Sequence, residues 1–293
     1  MKKPALTLVF AVPLITLPAS ASDAPRGHVL AIGGGDRPPA VMAEFARLAG
    51  AARGFVLVFP QASERPEAGA ELRQEFLELG IGRVEVVDVD RGGAGSDAAL
   101  ARTQGATGVF FGGGDQSKLM AVLGGTRLEG RLHELHRSGA VMAGTSAGAA
   151  VMSRTMIVGD ETRPFKKDDA WQTIEADNVV TAAGLGFLED AVVDQHFVRR
   201  KRHNRLTSLV LEHPRLLGIA VDEESAALFR PDGAFEVIGN GPVVVYDASA
   251  ASVQRDANGF GLRGADLRLH VLRSGSVFNV SKRRVVRLAP APR

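Results

Sequence analysis

The run Val-Met-Ala-Gly-Thr-Ser-Ala-Gly-Ala-Ala at residues 141–150 decides how this chain is read. It sets Ser146 between two glycines, in the order Gly144-Thr145-Ser146-Ala147-Gly148. Apolar residues 140–143 before it predict a buried strand, and the small residues Ala149 and Ala150, followed by Val151 and Met152, predict the start of a helix. A strand that turns sharply into a helix at Gly-x-Ser-x-Gly is a nucleophile elbow. Its glycines let two backbones approach where side chains would collide, and the serine is forced outward to meet a substrate carbonyl. The N–H of Ala147 then opens the helix, in position to stabilise an oxyanion. The bland alternative is a Gly/Ala/Ser-rich loop without chemistry, and the flanking strand and helix argue against it.

Outward from this motif, apolar runs alternate with helical patterns. Strands are predicted at 28–32, 55–59, 84–87 and 109–111, and helices at 41–48, 71–79, 117–123 and 131–137. This alternation predicts an α/β fold, a three-layer, mostly parallel sheet with helices on both faces. In such sheets the active loops gather at the carboxyl ends of the strands, where the elbow and the glycine-rich loops at 33–36 and 112–116 would fall. Beyond Ser153 the polar stretch 160–177 predicts a surface excursion. It is followed by a strand end at 191–194, a helix at 198–212 stopped by Pro214, and strands at 217–221, 226–229 and 243–246. Residues 247–293, with short β runs at 267–272 and 277–280, predict a β-rich extension of one catalytic domain spanning 22–293.

Residues 1–21 are set apart as an export signal. Lys2 and Lys3 precede an apolar run at 5–17, and Ala19-Ser20-Ala21 is an Ala-x-Ala cleavage site. The run falls short of the roughly 20 residues needed to span a bilayer, so the expectation is a secreted or periplasmic protein with no membrane contact after cleavage. Of the 35 basic and 33 acidic residues in the chain, two lysines leave with the signal, and the remainder balances at 33 against 33. Net charge therefore gives no argument for nucleic acid as a partner. Absence of cysteine excludes thiol nucleophiles and thiolate metal sites, and a single Tyr and a single Trp count against a stacking platform for sugars or single strands. No metal or nucleotide cofactor is expected.

A serine hydroxyl needs a base and an oriented acid. Of seven histidines, His196 sits at a predicted strand end just before a helix, where a loop-borne base belongs. Glu223 follows another apolar strand, in Gly218-Ile219-Ala220-Val221-Asp222-Glu223, and is the preferred acid; Asp222, Glu224 and Glu161 stay as alternatives. The order Ser, His, acid differs from the Ser, acid, His order of α/β-hydrolases. The 112–116 loop is either a tight turn or the source of a second oxyanion N–H, from Gly113 or Gly114, with Gln116 opening the next helix toward substrate. The 33–36 loop carries Gly33 and Gly35 but has Pro38 where a dinucleotide fingerprint wants a third glycine, which argues against a nucleotide site. Residues 199–205 form the densest positive cluster. Such runs are usually solvated helix faces. Arg202 and Arg205, at i and i+3 beside a candidate base, instead suggest a substrate bearing carboxylates.

Together, Gly112-Gly113-Gly114-Asp115-Gln116, the elbow at 144–149, Asp194-Gln195-His196-Phe197 with its arginines, Gly184-Leu185-Gly186-Phe187-Leu188 and the segment 218–223 resemble the cyanophycinases of peptidase family S51. The resemblance runs from about residue 28 to 246, in the family order. It implies a class I glutamine amidotransferase-like (flavodoxin-like) fold, with Ser146 as nucleophile, His196 as base and Glu223 as orienting acid. It also implies a substrate pocket of Gln116, Asp194, Gln195, Arg200, Arg202 and Arg205. The implied substrate is cyanophycin, a poly-aspartate whose side-chain carboxyls carry arginine, cleaved by a serine-type exopeptidase to β-aspartyl-arginine. Asp194, or acids within 160–177, would meet its guanidinium groups. The Ser146 to His196 interval looks longer than in intracellular members of the family, which predicts an insertion near 157–177. Two rival readings are another aspartyl peptidase or dipeptidase of the family, and a non-catalytic protein that binds acidic polymers through Arg200, Arg202 and Arg205. Sequence sets no oligomeric state, and a homodimer is compatible with it.

Overall fold

The computed structural model describes residues 27–163 and 173–290. The predicted export signal at 1–21 and part of the 160–177 excursion lie outside them. In chain order the first half runs β1 (Val29–Ile32), α1 (Pro39–Leu48), β2 (Phe55–Phe59), α2 (Ala68–Glu78), β3 (Arg83–Val86), α3 (Asp97–Arg102), β4 (Gly108–Phe111), α4 (Gln116–Leu123), α5 (Arg127–Arg137), β5 (Val141–Thr145) and α6 (Ala147–Ala150). The second half is mostly strand: β6 (Thr155–Glu161), β7 (Val179–Ala183), β8 (Ala191–Gln195), α7 (His203–Glu212), β9 (Leu217–Val221), β10 (Ser225–Phe229), β11 (Ala234–Gly239) and β12 (Val243–Asp247). It closes with β13 (Ser252–Arg255), β14 (Leu262–Ala265), β15 (Arg268–Leu272), β16 (Val277–Asn279) and β17 (Arg284–Arg287). No helix among the described residues is long and apolar enough to cross a membrane.

Strands β1, β5, β4, β2 and β3 lie side by side in parallel, the arrangement the β/α alternation predicts. β1, β2, β4 and β5 are short and buried throughout because both faces are covered, while the edge strand β3 carries Arg83 and Glu85. Leu30, Ile32, Val56, Val58, Phe110 and Val141 pack under α1 and α2, while Val29, Ala31, Leu57, Val109, Phe111 and Met142 meet α4, α5 and α6 on the other face. Beyond β1 the sheet continues through β10, β11, β16 and β17, every one antiparallel to its neighbour, giving nine strands.

The second half departs from the single three-layer sheet predicted. Strands β8, β9, β12 and β15 form a separate four-stranded sheet. Its Val193, Ile219, Val221 and Val245 face the core shared with the main sheet, and Val192, Ala220, Val244 and Tyr246 pack against α7. The chain leaves this sheet after β9 and re-enters the main sheet as β10, so residues 222–224 bridge the two. The predicted C-terminal extension is woven into both: β15 borders the small sheet and β16–β17 the large one. The polar excursion is flanked by an antiparallel pair, β6 with β7, that its charged composition concealed.

Candidate active site

The elbow forms as its glycines require. A Cβ on Gly144 would lie 2.2 Å from the Gly148 carbonyl oxygen, and one on Gly148 would lie 2.1 Å from that of Phe111, so neither position accepts a side chain. Between them Ser146 takes φ 54°, ψ −115°, a conformation disfavoured for residues other than glycine. Its N–H donates to the Ile32 carbonyl at 3.0 Å, and its own carbonyl accepts from Ala149 and Ala150, so the surroundings hold the strained residue in place.

His196 and Glu223 arrive from the small sheet, at the ends of the parallel neighbours β8 and β9. His196 Nε2 is 2.8 Å from Ser146 Oγ, and His196 Nδ1 is 2.6 Å from Glu223 Oε1. The Gly33–Gly34 backbone stitches the seam between sheets: the Gly33 carbonyl accepts from His196 N–H at 2.8 Å, and the Gly34 carbonyl accepts from Glu224 N–H at 3.1 Å. Gly34 has φ +103°, and a Cβ there would stand 2.3 Å from the His196 ring. The loop whose glycines loosely match a nucleotide fingerprint is instead a brace for the imidazole. His196 is 7% exposed, and its own φ is 49°. Burial pushes its pKa below the ordinary histidine value; the bond to Glu223 opposes this and the Arg200 charge reinforces it. The imidazole is therefore neutral at neutral pH, as a general base must be. The His196 hydrogen bond in turn holds the Glu223 carboxyl below the usual range. Asp222, one of the alternative acids, is spent on the N–H groups of Val198 and Arg199, each at 3.0 Å.

A cleft of about 320 Å³ opens over Ser146. It is walled by the loops after β1, β2, β4 and β5, at the carboxyl ends of the parallel strands. Gly113 lies against Ser146, and among the described residues no acceptor takes the N–H of Gly113, Gly114 or Ala147. That leaves these three donors available to an oxyanion.

The remaining residues expected in the substrate pocket separate into two groups. Arg200 is exposed on the turn after His196. Asp194, Gln195, Arg202 and Arg205 are turned inward and engage one another. The Asp194 side chain is wholly buried and accepts a two-pronged bond from Arg205, at 2.9 Å from Nε and a shorter contact from Nη2. Arg202 Nη1 donates to the Gln195 carbonyl at 2.6 Å and to Gln195 Oε1 at 2.7 Å. Asp194 and Arg205 are thus paired with each other inside the protein: strand β8 is buried along its whole length, and its acid is neutralised internally. Gln116 likewise spends its Nε2 on the Ile157 carbonyl at 2.8 Å, tying α4 to β6. Conversely, beside Gly34 of the 33–36 loop, the cleft contains residues that the motifs did not mark, namely Arg37, Arg65 and Glu71. Their one sequence signal is position, just after the first two strands of the parallel sheet.

Among known proteins, the model of Peptidase family S51 matches residues 29–237. A cyanophycinase of Synechococcus elongatus is 36% identical over 272 residues, 89% of this chain and 81% of the relative. A cyanophycinase of Trichormus variabilis is 34% identical over 273 residues, 90% of this chain and 89% of the relative. The crystal structure of a peptidase from an acI-B1 actinobacterium superposes with a TM-score of 0.64 at 21% identity, over 88% of this chain and 98% of that one, which is a likeness of fold.

Proposed function

The chain belongs to peptidase family S51, and on that premise we propose that it is a serine-type exopeptidase that hydrolyses cyanophycin to β-aspartyl-arginine. The observation that carries this reading is the relay Ser146–His196–Glu223, joined at 2.8 and 2.6 Å at the rim of a cleft. Ser146 Oγ attacks a backbone aspartyl carbonyl while His196 Nε2 takes its proton. The oxyanion is met by the N–H of Ala147 and of Gly113 or Gly114. His196 passes the proton to the leaving amine, an acyl-enzyme remains on Ser146, and water activated by the same imidazole releases it. Glu223 holds the ring in the tautomer that keeps Nε2 unprotonated at the start, and stabilises the imidazolium that forms next. The substrate class is supported by the cyanophycinase relatives and by the exposed arginines Arg199 and Arg200 beside the base, which suit a polymer bearing carboxylates.

Incubation with purified cyanophycin and mass analysis of the products tests this. β-Aspartyl-arginine is expected; free aspartate and arginine, or an unchanged polymer, would contradict it. Export is proposed as well, from Lys2, Lys3, the apolar run and Ala19-Ser20-Ala21. N-terminal sequencing of protein collected outside the cytoplasm is expected to begin at Ser22, and retention of residues 1–21 would refute it.

A further inference from the structure

One wall of the cleft is built from the loops after β1 and β2 and from helix α2, and it carries a paired set of charges. Arg37 is gripped by Glu75, with Nε 3.2 Å from Oε1 and Nη2 on Oε2. Arg65 Nη2 lies 2.5 Å from Glu71 Oε1, and its Nε lies 2.8 Å from Glu67 Oε1. Glu71 and Glu75 stand four residues apart on α2 and so share one helix face. One face of one helix thus aims two guanidinium groups at the cleft that holds the serine. Both arginines keep Nη1 without a partner among the described residues, and so does Glu71 Oε2.

Surface ion pairs are commonly worth little, and Arg65 at 60% side-chain exposure fits that description. Arg37 does not, because it and Glu75 are only 28% and 30% exposed. The setting of these charges is also specific, since Arg37, Arg65 and Glu71 line the same cavity as Ser146, Gly34 and Gly113. Two cations, each with an unused Nη1, beside one carboxylate with an unused oxygen, complement a zwitterion that carries its own carboxylate and guanidinium.

We propose that Arg37, Arg65 and Glu71 form a second recognition subsite for the arginyl group of the substrate. The two arginines take its α-carboxylate and Glu71 takes its guanidinium. The subsite rests on cyanophycin being the substrate, and it assigns specificity to a wall distinct from the Arg199–Arg200 side. It involves binding alone, without a chemical step.

Calorimetric titration of the Ser146→Ala protein tests the subsite, with β-aspartyl-arginine and with β-aspartyl-agmatine, which lacks the α-carboxylate. Arg65→Gln and Arg37→Lys are expected to weaken the dipeptide roughly tenfold or more while leaving the agmatine analogue unaffected. Glu71→Gln weakens both. Arg65→Gln breaks only exposed pairs and leaves folding intact, and Arg37→Lys keeps the charge opposite Glu75. Unchanged dipeptide affinity in both arginine variants, or no dipeptide binding by the parent protein, overturns the subsite. If the wild-type chain leaves cyanophycin intact while Arg65 still governs dipeptide binding, the proposed function falls and the subsite stands. If it digests cyanophycin and the variants bind normally, the reverse holds.

Discussion

Substituting Gly34 by alanine perturbs the relay without removing any of its members. The added Cβ would lie 2.3 Å from both Cε1 and Nε2 of His196 and 2.9 Å from Nδ1. Carbon contacts settle near about 3.5 Å or beyond, so the ring must withdraw by about 1 Å. Its bond to Ser146 starts at 2.8 Å, and that withdrawal carries it past the range in which a hydrogen bond survives. The opposite bond, 2.6 Å to Glu223, leaves no slack for the ring to keep both partners. Loss of a positioned general base costs about 10²–10⁴ in rate, or about 3–5 kcal/mol of transition-state stabilisation. Alanine at φ +103° adds about 1–3 kcal/mol of backbone strain. The assay is kcat/KM on cyanophycin, alongside denaturant unfolding and polymer co-sedimentation. Gly130→Ala is the control: it lies on the exposed face of α5 with open space around it and gains about 0.5–1 kcal/mol of helix stability. A folded Gly34→Ala protein that binds polymer and turns it over within about threefold of wild type would refute the assignment of His196 as the base held by this brace.

Other perturbations bear on other parts of the account. Arg200→Gln removes a positive charge that disfavours the imidazolium of His196, so the acid limb of kcat/KM against pH is expected to move upward; a limb that stays or moves down contradicts the electrostatics. Burial lowers the pKa of His136 from 6.5 to about 4, so the unfolded chain binds a proton that the folded one refuses between those values. Stability is therefore full above pH 6.5 and falls by about 3 kcal/mol as pH drops toward 4. His136→Gln should flatten that slope in denaturant titrations, and equal slopes would refute its origin. Asp194→Ala removes the carboxylate that the buried Arg205 guanidinium grips and should cost about 3–5 kcal/mol of folding stability; a purely substrate-binding Asp194 would leave stability unchanged.

The elbow and the relay are legible in the sequence because close backbone approach demands glycine, and the residues just past a strand end are presented at the sheet rim. Gly144 and Gly148 report a collision that only they avoid, and His196 and Glu223 each follow an apolar run with only one or two polar residues between. The Asp194–Arg205 pair is not legible, because a charged residue looks the same in sequence whether it faces solvent or a partner eleven residues on. Its direction depends on β8 being covered on both faces, which in turn depends on a second sheet that local patterns cannot announce. The predicted helix at 198–212 begins only at His203, because Lys201 turns the backbone left-handed at φ 54°, while Asp222 captures the N–H groups of Val198 and Arg199 in the turn before it. That capture is a contact across 23 and 24 residues and leaves no local trace. Arg37 and Arg65 escape notice because an arginine in a loop carries no periodicity, and the parallel order of β1 and β2 is what brings both to the cleft.

The central claim is that Ser146 is a nucleophile activated by His196, and covalent labelling reads it directly. Phenylmethylsulfonyl fluoride is added to the wild-type, Ser146→Ala and His196→Ala proteins at about pH 8, and the adduct is located by peptide mass spectrometry. The account predicts one sulfonylated serine, at 146, with no adduct in Ser146→Ala and labelling slowed at least about a hundredfold in His196→Ala. Labelling at another serine, or the same rate without the imidazole, would contradict it.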